Sequence, residues 1–142
     1  MKEKDPNIKI IGIDPFGSIL AQPESLNAVV PENGYQIEGI GYDFIPRVLD
    51  RTQIDEWMKI GDPESFDCAR RLIREEGFLC GGSSGTALAG ALKYIKEHNI
   101  GEGKRVVFIC PDNIRNYITT SRIMNKQAHR MFIKNHSISI GL

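Results

Sequence analysis

Phe78-Leu79-Cys80-Gly81-Gly82-Ser83-Ser84-Gly85-Thr86 is a short apolar run that breaks into glycines and hydroxyls before a stretch of helical character. This order predicts a strand over residues 78–80, a tight turn and the start of a helix. Such a turn directs backbone N–H groups and two hydroxyls towards one point, where a small polar ligand can bind. The simpler interpretation is a turn followed by a helix cap, which is worth about 1 kcal/mol. The lysine of a P-loop and the GxGxxG spacing are both missing, so nucleotide binding is not indicated.

Strand-like and helical segments alternate around this loop. Four strands are predicted, over residues 8–13 (ended by Asp14-Pro15), 54–60, 78–80 and 105–110. The two long helices are residues 63–76, capped by Asp62, and a helix capped by Ser83 or Ser84 that ends near His98. A short strand over 35–38 and a short helix over 46–50 are also predicted. The alternation predicts parallel β-α-β units in a three-layer α/β/α fold.

Three loops of the predicted fold carry candidate site residues. Ligands of parallel sheets bind beyond the carboxyl ends of the strands. The glycine-serine loop follows Cys80, and Pro111-Asp112-Asn113 follows Cys110, so both loops should lie at that edge. Gly39-Ile40-Gly41, followed by Tyr42, forms a second glycine-punctuated loop. Each loop alone is explained by a helix cap or a close backbone crossing, and only the three together indicate a site.

Composition limits the class of protein. The chain has 142 residues, 41% hydrophobic and 25% charged, which predicts one globular domain with a sizeable core. Its 18 basic residues balance 18 acidic ones, so no overall field favours nucleic acid or an anionic membrane. No apolar run approaches the roughly 20 residues that span a bilayer. The charged N-terminus lacks the apolar core of a secretory signal, so we expect a cytoplasmic protein.

Cysteine and histidine spacing argues against a metal site. Cys68, Cys80 and Cys110 match neither a CxxC knuckle nor a disulfide framework, and we interpret them as reduced core thiols. The three histidines also lack metal-ligand spacing. No Ser or Cys nucleophile with a neighbouring base and no catalytic carboxylate pair is evident. The hydroxyls and backbone amides of the loops instead suit a polar organic cofactor.

The loops resemble those in the later part of the catalytic domain of the cystathionine β-synthase family. The similar segments are Gly12-Ile13-Asp14-Pro15 with Gly17-Ser18-Ile19-Leu20, Glu38 to Pro46, Leu49-Asp50-Arg51, Cys80 to Gly85, and Pro111 to Tyr117. They occur in family order between about Lys2 and Thr119. The resemblance implies part of a fold type II (tryptophan synthase β-like) domain that uses pyridoxal 5′-phosphate. The implied reaction joins serine to homocysteine, with loss of water, to give cystathionine on the route to cysteine.

The resemblance also implies roles for individual residues. Ser83 would accept or share a hydrogen bond at the pyridine nitrogen, and Tyr42 would face the substrate pocket. Gly39 and Gly41 would lie against the cofactor ring or the substrate. The expected catalytic residues are Tyr42 and Gly41, and the expected cofactor-binding residues are Ser83, Gly39, Gly82, Pro111 and Asp112.

The chain also departs from the family pattern. In the family, the lysine that binds the cofactor covalently and the phosphate-binding loop lie upstream of the matched segment, and none of the nine lysines here sits in that lysine motif. The haem-binding segment and the regulatory domain pair of some members are not matched either. We expect residues 1–120 to be the C-terminal portion of a catalytic domain and residues 121–142 to be a divergent, weakly ordered tail. The chain alone should therefore be inactive.

Two alternative functions remain open. Cysteine synthases share the Gly-Ile-Gly and Gly-x-Ser-Ser-Gly loops, but typically carry small residues where this chain has Tyr42-Asp43. The other alternative is a non-catalytic fragment or isoform that associates with full-length subunits, because the family forms dimers. The expected partners are thus amino-acid substrates and other subunits, with neither nucleic acid nor a membrane.

Overall fold

A computed structural model describes residues 1–117 of the chain. The predicted tail, residues 121–142, lies outside the described residues. The chain divides into two compact units, residues 1–61 and 62–142.

The first unit is built on a parallel two-stranded sheet. Strand β1 spans Ile11–Pro15 and strand β2 spans Glu56–Ile60, paired in register from Ile11 with Glu56 to Pro15 with Ile60. Both strands were predicted, but β1 starts later and includes Asp14 and Pro15, which were expected to end it. Pro15 is tolerated because it is the last residue of a strand with a single paired neighbour.

Between these strands the described chain forms two 3-10 helices, Glu24–Asn27 and Arg51–Gln53. The predicted strand over 35–38 is wrong, because no described segment pairs with it and glycines with positive φ flank it. The predicted helix over 46–50 is wrong too. Asp50 caps the later 3-10 helix by accepting a hydrogen bond from the Thr52 N–H, so the helical turn starts after this residue.

The second unit contains two long helices, as predicted. Helix α1 spans Asp62–Glu75 and helix α2 spans Gly82–Glu97, and a short 3-10 helix follows at Ile114–Tyr117. Helix α1 begins at Asp62 itself rather than after it. Its buried residues lie at helical spacing and are Ser65, Cys68, Ala69 and Leu72.

The two helices pack closely at Gly85. A Cβ there would lie 2.6 Å from the Ala69 nitrogen and would collide with the Ser65 carbonyl oxygen, so only glycine allows this approach. Next to this contact, the Thr86 hydroxyl donates a hydrogen bond of 2.9 Å to the Ser65 hydroxyl. The packing buries every residue of the first turn of α2, from Gly82 to Thr86.

The α/β class is confirmed by the parallel sheet and the helices, but the sheet is smaller than predicted. Residues 78–80 contribute only an isolated antiparallel bridge between Cys80 and Asn113. Residues 105–110 form no strand, and no segment within residues 1–117 pairs with them. A strand needs a partner for its backbone groups. Without one, Val107 and Ile109 of this apolar run are 85% and 75% exposed.

Candidate functional site

The start of α2 is shaped by Gly81, which is its N-cap. Gly81 has extended geometry (φ −80°, ψ 176°), and no side chain caps the helix. The prediction that Ser83 or Ser84 caps α2 is therefore wrong, because both serines lie inside its first turn. A Cβ at Gly81 would collide with the Asp112 carboxyl, which occupies that space. The first N–H groups of a helix have no intrahelical acceptor and face outwards along its axis.

The loop around Asp112 is held against this helix start. The Gly81 N–H donates to the Asp112 carbonyl at 3.2 Å, and the Ile114 N–H donates to the Leu79 carbonyl at 2.9 Å. The Tyr117 hydroxyl donates to the Asp112 carboxylate. These bonds bring Asp112 beside the turn that contains Gly82 and Ser83, although residues 78–80 and 105–110 do not form the paired strands that were expected to place the two loops.

Three polar atoms at this place, on Ser83, Ser84 and Asp112, make no hydrogen bond within residues 1–117. Asp112 Oδ1 is buried without a hydrogen bond. The Ser83 side chain, only 6% exposed, makes none to any described residue. A hydroxyl can donate or accept, whereas a carboxylate oxygen can only accept. Together with the outward N–H groups of α2, these atoms suit a ligand with both polar donors and acceptors.

The cysteines of residues 1–117 differ in burial. Burial raises the pKa of the Cys80 thiol, and the nearby Ser84 hydroxyl offsets only part of that rise. All three cysteines are free; Cys68 and Cys80 are buried as expected, but Cys110 is exposed. Cys110 was predicted as a core thiol and is exposed because residues 105–110 lack a covering strand. Within the described residues, no three Cys, His, Asp or Glu side chains cluster as metal ligands.

Cys68 should react far more slowly with iodoacetamide than Cys110. Burial raises the Cys68 pKa to about 11, so at pH 8 its thiolate fraction is roughly a hundredfold below that of an ordinary thiol. The folded state favours the thiol, so this contribution to stability is complete below about pH 8.5 and is lost as pH rises through about 11. Peptide mass spectrometry of the labelled chain measures the rates, and equal labelling of the two cysteines would contradict the buried position of Cys68.

In the first unit, the Gly39-Ile40-Gly41 loop lies against β1. Gly39 and Gly41 have φ of +82° and +75°, a region that favours glycine. A Cβ at Gly41 would lie 2.6 Å from Pro15 Cγ and 2.8 Å from Tyr35 Cζ, whereas nothing lies within 4 Å of a Cβ at Gly39. At Gly41 the backbone thus passes too close to Pro15 and Tyr35 for a side chain to fit. At Gly39 there is room for a side chain, and only the positive φ favours glycine.

Tyr42 has a fixed backbone and an accessible ring. Its N–H donates to Ser18 Oγ at 3.1 Å, and its carbonyl accepts from the Ile19 N–H at 3.0 Å. The residue is 43% exposed, and its ring contacts Phe44 edge to face with centroids 5.1 Å apart. This arrangement can present a phenol to a ligand from a defined position.

A buried ionic cluster beneath this loop was not predicted. Asp14 and Lys59 face each other in register on β1 and β2, and Lys59 Nζ lies 2.7 Å from Asp14 Oδ2. Lys59 Nζ also donates to the Ser18 carbonyl at 2.9 Å and to Asn27 Oδ1 at 3.1 Å. The three contacts match the three N–H donors of the ammonium group. The available signal was one lysine inside the apolar run Met58-Lys59-Ile60.

Tyr35 lies between this cluster and the glycine loop. Burial raises the pKa of its phenol, and the negative charges of Asp14 and Asp43 raise it further. Its ring carbons lie 3.3 Å from a Cβ built at Gly17 and 2.8 Å from one built at Gly41, so both glycines leave room for the ring. Tyr35 is therefore an uncharged side chain that packs against the loop of Gly39-Ile40-Gly41.

The predicted site residues thus fall into two groups. Gly82, Ser83 and Asp112 come together in the second unit, where Pro111 precedes Asp112 as an exposed residue. Gly39, Gly41 and Tyr42 lie on one loop of the first unit. No described helix has the length and apolar character needed to cross a bilayer.

Comparison with known proteins identifies the family. The family model described as "Pyridoxal-phosphate dependent enzyme" matches residues 1–112. Cystathionine β-synthase of Dictyostelium discoideum is 57% identical over 119 residues, which are 84% of this chain and 23% of that protein. Cysteine synthase of Helicobacter pylori strain J99 is 40% identical over the same share of this chain and 36% of its own length. A crystal structure of an O-acetylserine dependent cystathionine β-synthase from H. pylori is 37% identical with a TM-score of 0.69, covering 83% of this chain and 36% of that one.

The fold and these comparisons therefore define part of a fold type II, cofactor-dependent enzyme. The chain belongs to the family of pyridoxal-phosphate dependent enzymes. It spans less than a quarter of the length of the Dictyostelium relative. The Ser83 hydroxyl, which has no partner within residues 1–117, fits the heteroaromatic end of this cofactor, because it can donate the one hydrogen bond that a ring nitrogen accepts.

Proposed function

We propose that this chain contributes to a cystathionine β-synthase, which condenses serine with homocysteine. The observation that carries the proposal is the buried Ser83 hydroxyl at the start of α2, beside Asp112. This hydroxyl makes no hydrogen bond within residues 1–117. Its place there is what the family resemblance requires of a residue at the pyridine nitrogen. The identity of 57% to a cystathionine β-synthase, against 40% to a cysteine synthase, supports this choice of reaction.

Pyridoxal phosphate supplies an electron sink for bonds at the substrate's α and β carbons. The neutral Ser83 hydroxyl would hold the pyridine nitrogen without keeping it protonated, so the bound cofactor would supply a weaker electron sink, suited to β-elimination. Asp112 orients the turn through its carbonyl bond to Gly81, and Tyr117 holds its carboxylate. Gly82 and Pro111 border the same space in the proposal.

Tyr42, Gly41 and Gly39 are the proposed substrate residues, and they lie on one loop of the first unit. Gly41 lets the loop cross Pro15 and Tyr35 closely, which sets where the loop passes. The Tyr42 phenol then stands exposed on a fixed backbone, able to donate to or accept from an amino-acid substrate. Serine and homocysteine are the proposed substrates.

The chain alone is proposed to be inactive and to work in association with other subunits or segments. None of its lysines lies in the family's lysine motif, and Lys59 already uses its three donors inside the first unit. The remaining parts of the proposal are a cytoplasmic location and the division into a catalytic portion, residues 1–120, and a divergent tail.

The test is a chimera in which this chain's residues replace the matched segment of the Dictyostelium relative. We expect the chimera to form cystathionine from serine and homocysteine, and the isolated chain with added pyridoxal phosphate to form none. Tyr42→Ala in the chimera should reduce cystathionine formation by roughly tenfold, as for loss of one substrate hydrogen bond of about 1.4 kcal/mol. Mass spectrometry of the products measures each rate.

Val48→Ala is the control, because Val48 is 94% exposed, lies six residues further along the chain and has no polar group. It should change the rate less than Tyr42→Ala does. A chimera that makes cysteine from O-acetylserine and sulfide, but no cystathionine, would favour the cysteine synthase alternative. A single borohydride-fixed lysine adduct together with activity of the isolated chain would overturn the proposed inactivity.

A further inference from the structure

We propose that Ser18 is a positioning residue for Tyr42 and that the buried Lys59 fixes Ser18 in turn. This inference deepens the proposed function and rests on it for the role of Tyr42. Ser18 is fully buried and has no polar group of its own facing solvent. Its side chain bonds to Tyr42 and its carbonyl to Lys59. Ser18 therefore connects the buried pair of Lys59 and Asp14 to the loop that carries Tyr42.

The side chain of Ser18 holds the Tyr42 backbone on both sides. Ser18 Oγ accepts from the Tyr42 N–H at 3.1 Å and donates to the Tyr42 carbonyl at 3.3 Å. The Ile19 N–H donates to the same carbonyl at 3.0 Å. Rotation of the Tyr42 peptide would break these bonds together, so the direction in which the Tyr42 side chain leaves the backbone is set at Ser18.

The carbonyl of Ser18 is held by Lys59, which is itself anchored in the sheet. Lys59 Nζ donates to it at 2.9 Å, with Asp14 at 2.7 Å fixing the ammonium group at the end of β1. The Lys59 and Asp14 side chains are 4% and 2% exposed, so water competes little for these contacts.

The Lys59 ammonium group also binds Asn27, at the other end of the segment that begins at Ser18. Asn27 Oδ1 accepts from Lys59 at 3.1 Å, while Asn27 Nδ2 donates to the carbonyls of Ile19 and Ala21 at 3.2 and 3.0 Å. Both ends of the segment from Ser18 to Asn27 therefore accept hydrogen bonds from the Lys59 ammonium group. Tyr42 is connected to the sheet through Ser18 rather than through its exposed ring.

Ser18→Ala in the full chain tests the first step. It removes the Oγ acceptor and leaves the Ser18 carbonyl and Lys59 in place. Amide hydrogen exchange, followed residue by residue by NMR, should become about five- to tenfold faster at Tyr42, as expected for loss of one hydrogen bond. The amides of β1 and β2 should keep their protection, and Ser25→Ala, at an exposed serine of the same segment, should leave Tyr42 unchanged.

Unchanged exchange at Tyr42 would overturn the inference. Equal loss of protection throughout the sheet would also overturn it, because Ser18 would then hold the whole unit rather than the loop. In the chimera, Ser18→Ala should raise KM for the amino-acid substrates severalfold while kcat falls less, and unchanged kinetic constants would count against a positioning role. If the parent chimera makes no cystathionine, the proposed function fails, and exchange at Tyr42 alone decides whether Ser18 positions it.

Discussion

Replacing Lys59 with Met should lower the free energy of unfolding by about 3–5 kcal/mol, the usual cost of removing one partner from a buried ion pair. The substitution leaves the Asp14 carboxylate buried, with the Ala21 N–H at 3.2 Å as its remaining donor. Met has similar length, so the loss comes from the missing charge and its hydrogen bonds rather than from a cavity. Urea unfolding followed by fluorescence of Trp57, the single tryptophan of the chain, measures the change.

The matched control is Lys2→Met, because Lys2 also pairs with an aspartate at 2.7 Å but at an exposed site. Solvent screens such a pair, and the variant should unfold almost like the parent. Asp14→Asn combined with Lys59→Met should cost less than the sum of the two single changes, because the uncompensated charge is gone. Equal stability of the Lys59 and Lys2 variants would contradict the structural role given to the buried pair.

The long helices could be predicted from sequence because their signals are local. The apolar spacing of α1, its acidic first turn and the following Gly77 all lie within one short segment. The start of α2 shows the limit of such signals. Two serines resemble caps, yet Gly81 is the cap because the Asp112 carboxyl, thirty-one positions away, occupies the space of a side chain.

The predicted strands failed where pairing depends on other parts of a sheet. Residues 105–110 have strong strand composition, but composition cannot supply the partner that their backbone needs. The prediction of β2 also rested on strand composition. It is confirmed because β1 lies beside β2 and pairs with it in register. The cluster of Asp14 and Lys59 could not be predicted for the same reason, since it exists only once that register is set.

The glycine loops could be located from the sequence, whereas the contacts that hold them could not. The resemblance indicated Gly41 and Ser83, and the structure gives physical reasons for both positions in a backbone crossing and a buried helix turn. Ser18 was visible in the sequence as part of a familiar segment, but its bonds to Tyr42 required three-dimensional information. A side chain that bonds to the backbone of a residue distant in sequence leaves no periodic pattern in the sequence.

Ser83→Asp should reduce cystathionine formation by the chimera roughly ten- to a hundredfold, with the fold retained. A carboxylate placed at the pyridine nitrogen holds that nitrogen protonated, through a charged hydrogen bond worth about 1.5–3 kcal/mol, and so strengthens the electron sink. A stronger sink favours long-lived carbanions over prompt β-elimination. Negative charge in the first turn of a helix is electrostatically favourable, so circular dichroism should show intact helices.

Two further substitutions separate the chemistry of the hydroxyl from its packing. Ser83→Thr keeps a hydroxyl and should retain more activity than Ser83→Asp, whereas Ser84→Ala changes the neighbouring buried serine and should leave the cofactor's absorbance unchanged. Because Asp112 lies beside the same turn, a second carboxylate at Ser83 adds like-charge repulsion that Thr does not. Normal turnover of the Ser83→Asp chimera, with cofactor bound, would contradict the assignment of Ser83 to the pyridine nitrogen and leave the buried turn of α2 with a purely structural role.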